Sequence, residues 1–279
     1  MAAQLSDRWR LTLPLAIPSL GGLAYLFAFD APLRLIAVNA GALGLALAWV
    51  VMGRLPSGPK ARLGLTGLAL TGLFLPPLLH HDVGGVARWL PIGPFMLHSG
   101  GLLLPLLGVL AAREARTGPW ILALAMLALV LQPDAGSLLG VAATGAALAW
   151  AQRSTAFTLV AGASLTLALA MWHAGTLEPQ EFTEGVLTQV WQSAPLFALV
   201  LAALVFLAPP GLLLREEGSR RTDGYALAAA LIGLAVAAVL APFPFPLIGY
   251  GASSILGFGL ALGVMAATPH TDTAFRPSA

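Results

Sequence analysis

Few residues of this chain could do chemistry, because few are polar at all. Of 279 residues, 58% are hydrophobic and 9% charged, and cysteine is absent. A thiol nucleophile, a disulfide framework and a thiolate metal site are thereby excluded. The stretch that stands out is Leu131-Gln132-Pro133-Asp134-Ala135-Gly136-Ser137, set between the apolar runs 119–131 and 138–151. A carboxylate at membrane depth costs several kcal/mol on insertion scales, so such groups usually face a bundle interior or a polar cavity. Pro133 removes a backbone donor and biases Gln132 away from helix, while Gly136 permits a tight re-entry. These residues predict a helix break that holds an acid at a membrane face. Asp134 also has the type and place of an N-cap for the helix 138–151, and the two roles are compatible.

Three further segments carry residue types that could react or bind. In the run 84–95, Arg88 stands beside Trp89, and an arginine there can clamp a phosphate bidentately. The same pair also serves as an interfacial anchor, a tryptophan with a snorkelling arginine. The run 173–185 concentrates Glu178, Glu181 and Glu184, which could bind a divalent cation or supply a general base of raised pKa. Its plainer reading is a solvated acidic loop, with Thr183 capping the next helix. The run 242–254 has prolines at 242, 244 and 246, which forbid regular helix. Gly251 and Ala252 then allow close packing, and Ser253 and Ser254 can bond backbone or ligand. His80 and His81 precede Asp82, but neighbours on a helix point apart, so no metal pair is expected there. His98, His173 and His270 read as interfacial or exposed.

The elements that must position these groups follow from apolar runs broken by charge, Pro and Gly. Ten spans are predicted, at about 11–29, 33–53, 62–80, 97–112, 118–132, 137–151, 155–173, 191–214, 224–242 and 250–267. The first is a retained span and not a cleaved leader, because it is long and lacks an evident cleavage site. The two weakest are 97–112 and 118–132, so one pair could form a re-entrant hairpin. With the N-terminus inside, Arg8, Arg10, Arg54, Lys60, Arg62, Arg113, Arg116, Arg153, Arg215, Arg220, Arg221 and Arg276 fall on the inner side. Only Arg34 and Arg88 fall outside, as the positive-inside rule requires. The fold class is therefore all-α: a polytopic membrane helix bundle with both termini cytoplasmic, and residues 1–279 form a single transmembrane domain. The net charge of +2 is spent on topology, so no nucleic acid is expected as a partner. No Gly-rich phosphate loop occurs. The same map gathers Asp30, His80, His81, Asp82, Arg88, Asp134, Glu178, Glu181 and Glu184 at the outer face.

Taken in order, the four segments resemble motifs of the SEDS family of bacterial wall synthesis (FtsW, RodA and SpoVE). That family carries R-W-I-x-L-G-x-F-x-x-Q-P-S-E-x-x-K, then Q-P-D-x-G-T, an outer loop ending H-T-D-F, and P-x-x-S-Y-G-G-S-S. Residues 88–95 resemble the first, and Gln132-Pro133-Asp134-Ala135-Gly136-Ser137 the second. Phe182-Thr183-Glu184 falls at the third, with Glu for the loop aspartate. Residues 247–254 resemble the fourth, through Tyr250, Gly251, Ser253 and Ser254. Two departures matter: the family's Q-P-S-E-x-x-K falls on His98-Ser99-Gly100-Gly101-Leu102-Leu103-Leu104, so its Glu and Lys are lost, and the large outer loop is reduced.

The resemblance implies a multi-pass protein of the bacterial cytoplasmic membrane that polymerises an undecaprenyl-linked disaccharide-peptide. Its expected partner is a single-span transpeptidase of the penicillin-binding type. On that implication Glu184 is the base that deprotonates the acceptor hydroxyl. Asp134 and Arg88 organise the site or the lipid pyrophosphate, with Mg²⁺ as an optional bridge and the metal otherwise open. Trp89, Gln132, Tyr250, Ser253 and Ser254 complete the substrate-binding set. Loss of the Glu and Lys supports a second reading, a non-catalytic SEDS-like scaffold that binds a wall-synthesis partner. A lipid or small-molecule transporter is the third, opposed by the lack of internal repeat and of mid-span charge.

Overall fold

A computed structural model describes residues 7–54, 58–79, 84–175 and 177–267. The helices are α1 (Leu13–Ala28), α2 (Leu33–Met52), α3 (Pro59–Leu79), α4 (Ser99–Ala112), α5 (Gly118–Leu131) and α6 (Ala135–Gln152). They continue as α7 (Thr155–Ala170), α8 (Val186–Ser193), α9 (Pro195–Phe206), α10 (Ala208–Leu213), α11 (Arg221–Leu240) and α12 (Ala252–Ala266). Each of the ten apolar runs overlaps at least one of these helices. Among the described residues four stretches are long and apolar enough to cross a bilayer: 33–52, 59–79, 195–213 and 218–240. The predicted span 191–214 is interrupted at Ala194–Pro195 and again before Pro209, since each proline removes a donor and crowds the preceding turn. His80, His81, Asp82, His270 and Arg276 lie outside the described residues.

The order of burial differs from the sequence expectation in one respect. The run 97–112 is one of the two weakest spans by sequence, yet every residue of α4 is buried. Leucine on all sides of a helix marks the bundle centre, where no polar face is needed. Around it stand α11 and α12, with α6 behind α11 and α2 beside α12. Small residues set the crossings. A Cβ at Gly233 of α11 would lie 2.8 Å from Gly140 Cα of α6. One at Gly257 of α12 would lie 2.6 Å from the Leu102 carbonyl of α4. Close backbone approach of this kind drives helix association where lipid is as apolar as leucine.

The two ends of the bundle are built differently. At the basic end, Arg113 donates to Asp223 at 2.6 Å and to the Val264 carbonyl, tying α4 to α11 and α12. Arg220 donates to Asp7 at 2.7 Å. The opposite end holds the broken segments. There Trp89–Ile92 (β1) and Phe95–His98 (β2) pair antiparallel across a turn at Gly93-Pro94. This small hairpin was not anticipated by the helical reading. It occupies what α4 leaves vacant, for 14 residues at ~1.5 Å each give only about 21 Å, well short of a ~30 Å hydrocarbon core.

Candidate functional site

The site grows from the break at 132–134. Asp134 is the N-cap of α6, its Oδ1 accepting from the Ser137 amide at 3.0 Å, so the capping role predicted from sequence is realised. Gly136 lies inside the first turn of α6 instead of supplying the turn. A Cβ there would meet the Phe243 ring at 2.9 Å, so its contribution is close packing. Gln132 is fully buried and serves as a latch. Ser99 Oγ donates to its Oε1 at 2.7 Å, and its Nε2 donates to the Leu73 carbonyl, joining α3, α4 and α5. Arg88 is also buried. Its Nε donates to the Gln132 carbonyl at 3.1 Å, and one Nη donates to the carbonyls of Pro133 and, at 3.4 Å, Ala174. The guanidinium thus caps the C-terminal end of α5, where the helix dipole is negative.

The second group arrives from the loops 182–185 and 242–251, which are knitted together. The Phe245 amide donates to the Thr183 carbonyl at 2.9 Å, the Tyr250 amide donates to the Phe182 carbonyl at 2.6 Å, and Glu184 bridges Pro244. Asn39 of α2, missed in the sequence, clamps the proline-rich loop. Its Nδ2 donates to the Gly249 carbonyl and its Oδ1 accepts from the Gly251 amide, both at 3.1 Å. Ser253 Oγ accepts from the His98 amide at 2.8 Å and Ser254 Oγ from the Leu247 amide at 3.3 Å. Thr183 does not cap α8, whose N-cap is Gly185.

These segments enclose a cavity of about 120 Å³ that Trp89, Asp134, Tyr250, Ser253 and Ser254 all line. At ~30 Å³ per water, it has room for a few waters or one substituent of a sugar. Thr183 Oγ1 is buried beside it without a hydrogen-bond partner, and the neighbouring Asp134 Oδ2 and Ser137 Oγ lack a bond of good geometry. Buried polar atoms short of good hydrogen bonds are costly, so this group marks a place suited to polar contents. Burial raises the Asp134 pKa, but His98, Arg88 and the Ser137 bonds outweigh it and hold the carboxyl below its usual range. A second, smaller cleft of about 20 Å³ lies across the wall formed by Trp89, His98, Phe243 and Pro244, and it takes in Arg88 and Glu184. Glu184 accepts from the Gln180 amide at 3.3 Å, yet burial pushes its carboxyl up to about 7. Glu184 and Asp134 therefore share a wall and not a cavity, while Glu178 and Glu181 line neither.

His98 corrects the reading of it as interfacial or exposed. It caps α4 through Nδ1, which accepts from the Gly101 amide at 3.0 Å. The proton of the neutral ring then sits on Nε2, which faces Asp134 Oδ2 at 3.4 Å. It follows the apolar run 95–97 and precedes Ser99-Gly100-Gly101, so no acid or base beside it in sequence marks it. The available signal was its register, at the first position of the stretch aligned with Q-P-S-E-x-x-K. Gly101, aligned with the family's Glu, lines the cavity, and Leu104, aligned with its Lys, is fully buried. Among the described residues no three side chains of the metal-ligating types converge.

Known proteins bear on the fold and not on the sequence. No family model and no curated protein matches the chain. Among solved structures, the Rod shape determining protein RodA of Thermus thermophilus matches with a TM-score of 0.69 at 22% identity, over 93% of this chain and 95% of that one. An aspartate-to-alanine variant of the same protein matches with a TM-score of 0.70 at 21% identity, over 93% and 96%. The chain thus has the RodA fold, that of a polytopic helical membrane protein and of the family its motifs resemble.

Proposed function

We propose that this chain is a SEDS-type protein of bacterial wall synthesis, acting in the cytoplasmic membrane as a glycan polymerase on an undecaprenyl-linked disaccharide-peptide. The observation that carries this reading is the meeting of four segments, distant in sequence, around a polar cavity at the end of a RodA-like bundle that lacks the basic clusters. Ten spans, cytoplasmic termini and the placing of the cavity on the outer side belong to the same proposal, on the charge distribution.

In the proposed reaction, Glu184 takes the proton from the acceptor sugar's hydroxyl. The hydroxyl oxygen attacks the anomeric carbon of the donor, and the bond from that carbon to the pyrophosphate oxygen breaks. Undecaprenyl pyrophosphate leaves, and Glu184 returns its proton to solvent. A carboxyl titrating at about 7 suits a base that must be free near neutral pH yet strong enough to accept a proton. Asp134, with Ser137 and Thr183, would orient a donor-sugar substituent in the cavity. Trp89, Tyr250, Ser253 and Ser254 would form its walls, while Arg88 and Gln132 hold the break in place through backbone carbonyls. Any Mg²⁺ would need pyrophosphate oxygens and water for most of its shell, since Asp134 offers at most Oδ2, which already faces His98 Nε2 at 3.4 Å.

A second reading rests on Gly101 and Leu104. They leave the cavity without the Glu and Lys of the family motif, which favours a scaffold that binds a single-span transpeptidase without turnover. Polymerisation of purified lipid-linked disaccharide-peptide decides between them. Polymer from the parent chain that Glu184→Gln abolishes and Asp134→Asn strongly reduces supports the transferase. No polymer from a chain that retains its partner sinks it in favour of the scaffold.

A further inference from the structure

Away from this site, on the flank formed by α6, α7 and α11, a groove of about 620 Å³ runs along the bundle. Its lining is apolar and mostly small: Ala142, Ala146 and Ala149 of α6, Gly162 of α7, and Gly233 and Val236 of α11. At its basic end it comes within one helical turn of a recess of about 560 Å³ that includes Gln152, Arg153, Ser154, Thr155 and Thr222. Ala149 precedes Gln152 by three residues, and Thr158 of the groove follows Thr155 by three.

The recess is polar in a particular sense. Arg113 also borders it, but its charge is met by Asp223. Arg153 is exposed, and among the described residues no ion pair engages it. Ser154 is the N-cap of α7 but makes no side-chain cap bond, and no acid stands in the first turn, so the positive helix end faces the recess uncompensated. Gln152 donates to the Ala112 carbonyl, which leaves its buried Oε1 as an unmet acceptor. Beside the recess, Trp150 of α6 packs against Tyr225 of α11 at 5.5 Å, and Arg221 lies over the same tyrosine at 5.6 Å. Glu217 is the carboxylate felt by Arg221. Tyr225 is two turns before Ile232 of the groove, so the aromatic pair lies at its mouth. Aromatic rings with arginines are the residues found at the headgroup level of a bilayer.

We infer that this flank is a binding site for an anionic phospholipid of the leaflet at the basic end. The phosphate meets Arg153 and the start of α7, a headgroup hydroxyl reaches Gln152 Oε1, and one acyl chain lies in the groove. Basic recesses between transmembrane helices on the cytoplasmic side hold lipid headgroups by this chemistry. A partner helix fits less well, because the unpaired positive charge sits where the groove opens to the headgroups. The inference needs the bundle to sit in a membrane but is independent of the polymerase reading.

Native mass spectrometry of the full chain, stripped of lipid and titrated with phosphatidylglycerol or phosphatidylcholine, tests it. The parent should retain phosphatidylglycerol in preference. Arg153→Gln should lower that retention roughly five-fold and leave phosphatidylcholine unchanged. Ala146→Phe, which fills the groove, should weaken both lipids. Thermal unfolding and gel filtration of each variant establish that it is folded. Equal retention of the two lipids by the parent overturns the inference, as does an Ala146→Phe chain that binds like the parent. Loss of a co-purifying single-span protein from Ala146→Phe, with lipid retention intact, also overturns it and assigns the groove to a helix.

Discussion

Glu184 carries the most exposed prediction, because its neighbours set its titration. The group is half-buried, and desolvation lifts its carboxyl from 4.5 to about 7 against the opposing Gln180 amide and Arg88. A carboxyl raised by folding binds its proton more tightly in the native state. Its contribution to stability is therefore fully present below about pH 4.5 and is lost as pH rises through about 7. The melting temperature of the parent relative to Glu184→Gln should fall across that interval. A difference that stays flat from pH 4 to 8 would show that the carboxyl has its ordinary pKa. In the polymerase reading the same titration gives a rate that climbs with pH through about 7, since the base must first lose its proton. Asp134 was legible from the sequence because an acid beside a Pro break in an apolar chain is costly wherever it sits. His98 was not, because its importance comes from facing Asp134 across the bundle, a relation fixed by how α4 and α6 pack.

At the scale of elements, Asn39 makes the clearest case. One side chain on α2 satisfies a carbonyl and an amide of the loop 242–251, which three prolines keep from bonding to itself as a helix. Asn39→Leu keeps the branched shape but leaves the Gly249 carbonyl and the Gly251 amide without this partner. At ~1 kcal/mol net per bond and more for each orphaned group, the cost should be about 2–4 kcal/mol. A chemical or thermal unfolding series in detergent measures it, and hydrogen exchange should show faster amides across 245–251. Unchanged stability and exchange would mean the loop is held by other contacts. The breaks at 132–134 and 242–251 were visible in the sequence because proline acts locally. The hairpin β1–β2 was hidden, since four-residue strands rich in apolar side chains carry no period distinct from the helix that follows. Centrality was hidden too. Length ranks α4 among the weakest spans, whereas burial on every side is a property of its neighbours.

For the whole molecule, charge says more than hydropathy. Twelve cationic positions alternate with apolar runs so regularly that one end of the bundle could be assigned before any helix was placed. Arg113, Arg153 and Arg220 gather at the end away from the Asp134 cavity, and there Arg113 and Arg220 pair with Asp223 and Asp7. Which end faces the cytoplasm can be measured directly, because the chain has no cysteine and single cysteines can be placed at will. In whole cells, Gln180→Cys in the loop beside Glu184 should react with an impermeant maleimide added outside. Arg153→Cys and Ser219→Cys should react only once the membrane is opened. The reverse pattern would put the cavity on the cytoplasmic side, out of reach of an outer-face polymerase. That result would leave the bundle intact and remove the orientation on which the polymerase reading depends.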